Sequence, residues 1–157
     1  MASVCTLAPF HTALLAVVQA VFASVTFPVS ASSSGLVAVH DSVAPQKPTY
    51  PYWIVGDGGS ETPCNTLGDA EQPKFGGEAR VPIRLVTQYP TSKAQTLAIF
   101  GAAKAAIDGK AFVVAGFGSV LVTVEAMQVL QGSAVAGGPT VFEVVAECEA
   151  ELHQGNA

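Results

Sequence analysis

Apolar side chains recur in two different periods along this chain, and the periods mark out its elements. From Leu7 to Val25 the run is apolar, with Phe10, Leu14, Val17, Val21 and Val25 at near-helical spacing. The reading is a buried helix, with Thr6 placed as N-cap and Pro9 tolerated in the first turn. A second helix is expected from Ser92 to about Ile107, because Ser92-x-x-Gln95 is a capping-box pattern and Gly109 supplies a stop. Leu97, Phe100 and Ile107 give it bulk, and Ala94, Ala98 and Gly101 leave room for close approach to a sheet.

Strict alternation marks two strands. In Glu78–Thr87, Ala79, Val81, Ile83 and Leu85 point one way and Glu78, Arg80 and Arg84 the other. Pro82 lacks an N–H, which puts this strand at an edge or a bulge there. In Val141–Ala150, Phe142, Val144, Ala146 and Cys148 oppose Glu143, Glu147 and Glu149. Tyr52–Val55 is aromatic and β-branched and is stopped by Gly56, Leu36–His40 is a shorter candidate, and Val120–Leu130 is long and apolar. The segment Gln131–Pro139, with Gly132, Gly137 and Gly138, reads as a hairpin end. Ser30–Gly35 reads as a loop, and Asp57–Gly77 as a long polar loop, an arm that orders on contact with a neighbour. The order helix, three strands, helix, two strands predicts an α+β domain: a mostly antiparallel sheet of four to five strands packed against two helices. Residues 1–157 form one domain, with a core from about 7 to 150.

Composition shifts this picture toward assembly. Half of the 157 residues are hydrophobic and 12% are charged, against a usual share of about 25%, so part of the surface is expected to be covered by partner subunits. The formal charge of −5 argues against a general nucleic-acid binder. The charge is also segregated. Residues 1–40 carry none, all seven Lys and Arg lie between Lys47 and Lys110, and five glutamates follow Ala111. Cys5, Cys64 and Cys148 lack the close spacing of a zinc site, which fits a reduced cytosolic chain. A targeting segment is the competing reading of the apolar N-terminal run, against which stands the lack of any Lys or Arg before Lys47. Its Ala-rich content and marginal length argue against a membrane span.

Candidate chemistry is thin. Gly56-Asp57-Gly58-Gly59 and Gly116-Phe117-Gly118 match no phosphate loop. His11, His40 and His153 are scattered; His40-Asp41 is a possible oriented base, but no serine or cysteine stands in a nucleophile setting. The glutamate row Glu143, Glu147 and Glu149 lacks the loop setting of a calcium site, and cross-strand pairing with Arg80 and Arg84 makes it a solvated sheet face. No catalytic residue, metal or cofactor is expected, and the chain reads as a structural subunit rather than an enzyme.

The run Val37-Ala38-Val39-His40-Asp41, the Pro-rich link and Tyr50-Pro51-Tyr52-Trp53-Ile54-Val55-Gly56 resemble the front half of the tailed-phage tail-terminator (tail completion) family. The polar loop, the strand Val81–Thr87, the helix ending in Asp108-Gly109 and two C-terminal strands continue the likeness over residues 10–150. This resemblance implies a homo-oligomeric ring of six subunits at the head-proximal end of a siphovirus-like tail, assembled in the host cytoplasm. Its partners are then the tail tube protein and the head–tail connector protein. DNA passes through the ring without sequence-specific binding, and no membrane is involved. If the glutamates line that passage, DNA meets an acidic wall and slides. Mapped onto this chain, the candidate subunit contacts are Asp57, Glu61, Asp69, Glu71, Lys74 and Phe75 on the arm, and Arg80, Arg84, Glu143 and Glu147 on the charged faces. The alternatives are another head–tail neck or minor tail subunit, and a small secreted binding domain.

Overall fold

The computed structural model describes residues 6–23, 27–30, 33–35, 37–66, 74–133 and 136–153. Two helices, α1 (Leu7–Phe22) and α2 (Lys93–Ile107), lie on one side of a sheet. The strands are β1 (Phe27–Ser30), β2 (Ser33–Gly35), β3 (Ala38–Asp41), β4 (Tyr52–Val55), β5 (Ser60–Thr66), β6 (Lys74–Gln88), β7 (Lys110–Val114), β8 (Gly118–Ser133) and β9 (Thr140–His153). The main sheet has seven strands in the order β3-β4-β6-β9-β8-β7, with β5 also paired to β6, while β1 and β2 form a separate ribbon.

The α+β class stands, but the expected sheet of four to five mostly antiparallel strands is overturned by a larger, mixed one. The parallel pair is β3–β4, with Ala38 opposite Tyr52 and Asp41 opposite Val55. Its strands are joined by residues 42–51, which carry three prolines and return to the same end of the sheet. The additional strands are β1, β2 and β5, which carry glycine, proline or serine rather than clean alternation, and β7, which has only five residues.

The expected polar loop Asp57–Gly77 is likewise corrected. Residues 60–66 form β5 and pair antiparallel with residues 74–80 of β6, so most of the segment is hairpin. β4 and β5 lie end to end along the same side of β6, and Pro82 sits at the gap between them. Its carbonyl accepts from the Gly56 amide at 2.8 Å, so the missing N–H faces that gap rather than a ladder. β6 is therefore an interior strand, bordered by β9 on its other side, and the edge expected at Pro82 is a local interruption.

The core lies between the helices and the sheet. Ala79, Val81, Ile83 and Leu85 of β6 are fully buried, as are Val144, Ala146 and Cys148 of β9. α1 buries Phe10, Leu14, Val18 and Phe22, a stripe of period four that displaces the expected Val17 and Val21 to partly buried flanks. α1 ends at Phe22, and Val25 lies outside the described residues. Among the described residues no helix is long and apolar enough to cross a membrane. Trp53 stands at the centre, its ring 5.4 Å from that of Phe22 and 5.6 Å from that of Phe100.

α2 carries the capping box as expected, with Ser92 Oγ accepting from the Gln95 amide and Gln95 Oε1 from the Ser92 amide. Its buried face is Thr96, Ile99, Phe100, Ala103 and Ile107. Ala94, Ala98 and Gly101, expected against the sheet, face outward instead. The bulky side chains decide the orientation, because burying Ile99 and Phe100 removes far more apolar area from water than burying alanines.

Candidate assembly surface

The sheet has one face covered by helices and one largely bare, and the bare face gathers most of the charge. Alternation in β6 and β9 sends Glu78, Arg80 and Arg84, together with Glu143, Glu147, Glu149 and Glu151, to that side. Arg84 joins two segments there, donating from Nε to Asp57 at 3.0 Å and from Nη1 to Glu143 at 2.9 Å. Arg80 donates to Glu78 at 2.8 Å and stands 3.7 Å from Glu149 and 3.9 Å from Glu147. The structure thus brings together Asp57, Arg80, Arg84, Glu143 and Glu147, five of the ten expected contact residues.

The other five lie elsewhere. Glu61 points from β5 to the start of α1, where its carboxylate accepts from the Thr6 amide at 2.6 Å and the Leu7 amide at 2.7 Å. An anion at a helix N-terminus is favourable, and Glu61 takes the capping role expected of Thr6, whose side chain makes no capping bond. Lys74 and Phe75 are in β6, opposite Thr66 and Asn65. Asp69 and Glu71 lie outside the described residues.

The bare face has an acidic end and an aromatic end. At the acidic end Glu78 sits directly opposite Glu151, and Glu125 directly opposite Glu147. Like charges in these positions destabilise a sheet. The Arg80 guanidinium holds the Glu78 carboxyl below its ordinary range. Burial and the neighbouring Glu78 and Glu125 carboxyls push Glu149 up, against the pull of Arg80. At the aromatic end Tyr52, Val86 and Val141 are nearly buried beneath Ala44 and Tyr50, and the Tyr50 and Tyr52 rings are 5.3 Å apart. A hollow of about 240 Å³ opens there, lined by Tyr50, Tyr52, Leu130, Val141 and Glu143. Leu130 reaches this face because a bulge between Glu125 and Gln128, with Ala126 at φ 54°, shifts the register of β8.

The candidate base pair of the sequence is rearranged. Asp41 accepts not from His40 but from His11 Nε2, at 2.7 Å, and from Ser42 Oγ at 2.7 Å. Gly56, at φ +77°, leaves the space that the His11 ring fills. His40 instead lies 5.9 Å from the Tyr52 ring. Cys148 is buried in the core, which pushes its thiol up to about 12. Among the described residues no group of His, Cys, Asp and Glu is arranged to hold a metal ion.

Sequence reasoning left Glu78, Glu125, Glu149 and Glu151 out of the contact set. The signal was present in the alternation of β9, which puts Glu147, Glu149 and Glu151 on one face, but the positions of β6 and β8 opposite them follow from register alone.

No family model matches this chain, and no curated protein matches it. Among solved structures the fold is similar to that of a chain from the virion of a native gene transfer agent (GTA) particle, with a TM-score of 0.57. The likeness covers 90% of this chain and 93% of that one at 16% sequence identity, and is therefore a likeness of fold.

Proposed function

We propose that this chain is a structural virion protein that forms a ring on the end of a tail tube, stops tube growth and joins the tail to the head connector. The observation that carries the reading is the fold likeness, over nine-tenths of the chain, to a chain of a gene transfer agent virion. The resemblance of residues 10–150 to tail terminators narrows it from virion protein to tail end.

The physical demand on such a subunit is specific. A tube of stacked rings presents the same surface after each layer, so growth has no intrinsic stop. A terminator must match that surface on one side and fail to reproduce it on the other. Closing a ring requires two different complementary patches on each copy. A chain with a helix-covered face, a bare charged face and an uncharged hairpin spanning residues 126–142 offers dissimilar surfaces for those contacts. The role proposed is one of assembly, and the ion pairs of Arg80 and Arg84 with carboxylates order the charged face for it.

Removing the gene product from its particle-producing host tests this. The expected result is overlong tubes and heads without tails. Particles with tails of normal length, joined to heads, overturn it. The likeness is to a chain of a virion and not to one named part of it, which favours a second reading: another head–tail neck or minor tail subunit. Unjoined heads with tubes of normal length would select it.

A further inference from the structure

The acidic end of the bare sheet face also carries two of the exposed large apolar side chains of the described residues. Val113 is 81% exposed and Leu121 62% exposed. Ala111 and Leu121 are cross-strand partners, and Val113 is two residues on from Ala111, so the three form one strip. Leu121 lies beside Val122, which pairs with Ala150, and this places it next to Glu151 on β9. A shallow concavity of about 440 Å³ adjoins the strip at Leu121, lined also by Glu78, Thr123, Glu149 and Glu151. An apolar strip rimmed by charge has the anatomy of a protein contact rather than of a bare solvated face.

Charge names the occupant. The rim is acidic, with Glu78, Glu125, Glu147, Glu149 and Glu151 on this face and Arg80 among them. Helix α2, on the other side of the sheet, has the opposite sign: its charged residues are Lys93 and Lys104, both exposed, and the acid that follows it, Asp108, accepts from the Val124 amide. Between Lys93 and Lys104, the outward face of α2 is Ala94, Ala98 and Gly101, smooth enough to lie close against a pleated surface.

We infer that the Val113–Leu121 strip and its glutamate rim dock the lysine-flanked outer face of α2 of a second copy of this chain. The two surfaces lie on opposite sides of the molecule, so the contact is head-to-tail and repeats from copy to copy, closing where the rotation allows. It rests on the ring reading and gives that ring its joint. It also accounts for the outward-facing small residues of α2 and for the glutamates that face one another across β6–β9 and β8–β9.

Charge exchange tests it in the full-length protein, with assembly size read by light scattering and mass photometry. One variant carries Lys93→Glu and Lys104→Glu; the other carries Glu149→Lys and Glu151→Lys. Each alone is expected to raise the concentration needed for assembly at least ~100-fold, since like charges then meet across the contact. An equimolar mixture is expected to restore the parent size, because both kinds of contact in an alternating array become attractive again. That recovery also shows that the variants are folded. Parent assembly with variants that assemble equally well overturns the joint and leaves the ring reading standing. So do variants whose melting curves match the parent but whose mixture stays dissociated. A parent protein that is monomeric at every concentration overturns the ring reading, and this inference with it.

Discussion

Replacing Glu61 with alanine tests whether the β5 hairpin and the first helix are one structural unit. A single carboxylate oxygen accepts from the Thr6 amide at 2.6 Å, the Leu7 amide at 2.7 Å and the Thr6 hydroxyl at 3.0 Å. Alanine takes an anion from the positive end of α1, worth ~0.3–1 kcal/mol. It also leaves donors unmet at Thr6, which is fully buried, and an unmet buried donor costs ~1–3 kcal/mol. Together these put the loss at roughly 1.3–4 kcal/mol, at or above the ~1 kcal/mol typical of losing a helix cap. In a domain of this size each kcal/mol lowers the melting temperature by about 2–4 °C, so the expected drop is about 3–16 °C. Urea titration followed by circular dichroism and by the fluorescence of Trp53, the only tryptophan, reads the loss directly. Trp53 packs on Phe22 of α1, so its signal reports whether the helix stays docked. A Glu61→Ala protein within 0.5 kcal/mol of the parent, by this assay with its usual ~10–15% error, would show that β5 does not hold α1. Deleting Glu61–Phe75 removes β5 and this cap together, so it is expected to unfold the domain.

Three further outcomes follow from single sites. Gly56→Ala places a Cβ where the His11 ring stands, at φ +77°, and is expected to cost at least ~1–2 kcal/mol from the backbone alone; combining it with His11→Ala should recover the steric part, as measured by thermal melts. The Cys148 thiol, pushed up to about 12 by burial, should resist iodoacetamide at pH 8 in the native state and react on unfolding, as mapped by mass spectrometry. Because its folded value is raised, its effect on stability is absent at neutral pH and appears as a loss above about pH 9. Asp41 is held below its ordinary value by Ser42 and His11, so its contribution is present above the unfolded value and fades as pH falls through the folded one. Asp41→Asn should therefore flatten the acid side of the stability curve, and an unchanged acid limb counts against the His11–Asp41 contact.

The elements legible in the sequence were those whose period agrees with their environment. β4, the core of β6, β9 and α2 with its capping box all lie where alternation or capping placed them. β5 was not legible because Ser60–Thr66 has no apolar alternation; its pairing to β6 supplies what its side chains do not. α2 shows the limit of pattern reading in the other direction, since Ala and Gly fit a close packing surface equally well on either side of a helix. The charged face was half legible. Arg80, Arg84, Glu143 and Glu147 were separable from the core by alternation, whereas Asp57 and Glu61 belong to a segment read as loop. The structure sends Asp57 to Arg84 and Glu61 to α1, and only register could have told them apart. His40-Asp41 was a false pairing for the same reason: neighbours in a strand point to opposite faces, and Asp41 points to α1.

Imaging the particle with this chain labelled decides the central claim. A gold or antibody label at the C-terminus, viewed by electron microscopy, should appear at one site per particle, where the tail meets the head. On tubes isolated without heads it should mark one end. Label distributed along the tube, or on the head shell, would contradict the account.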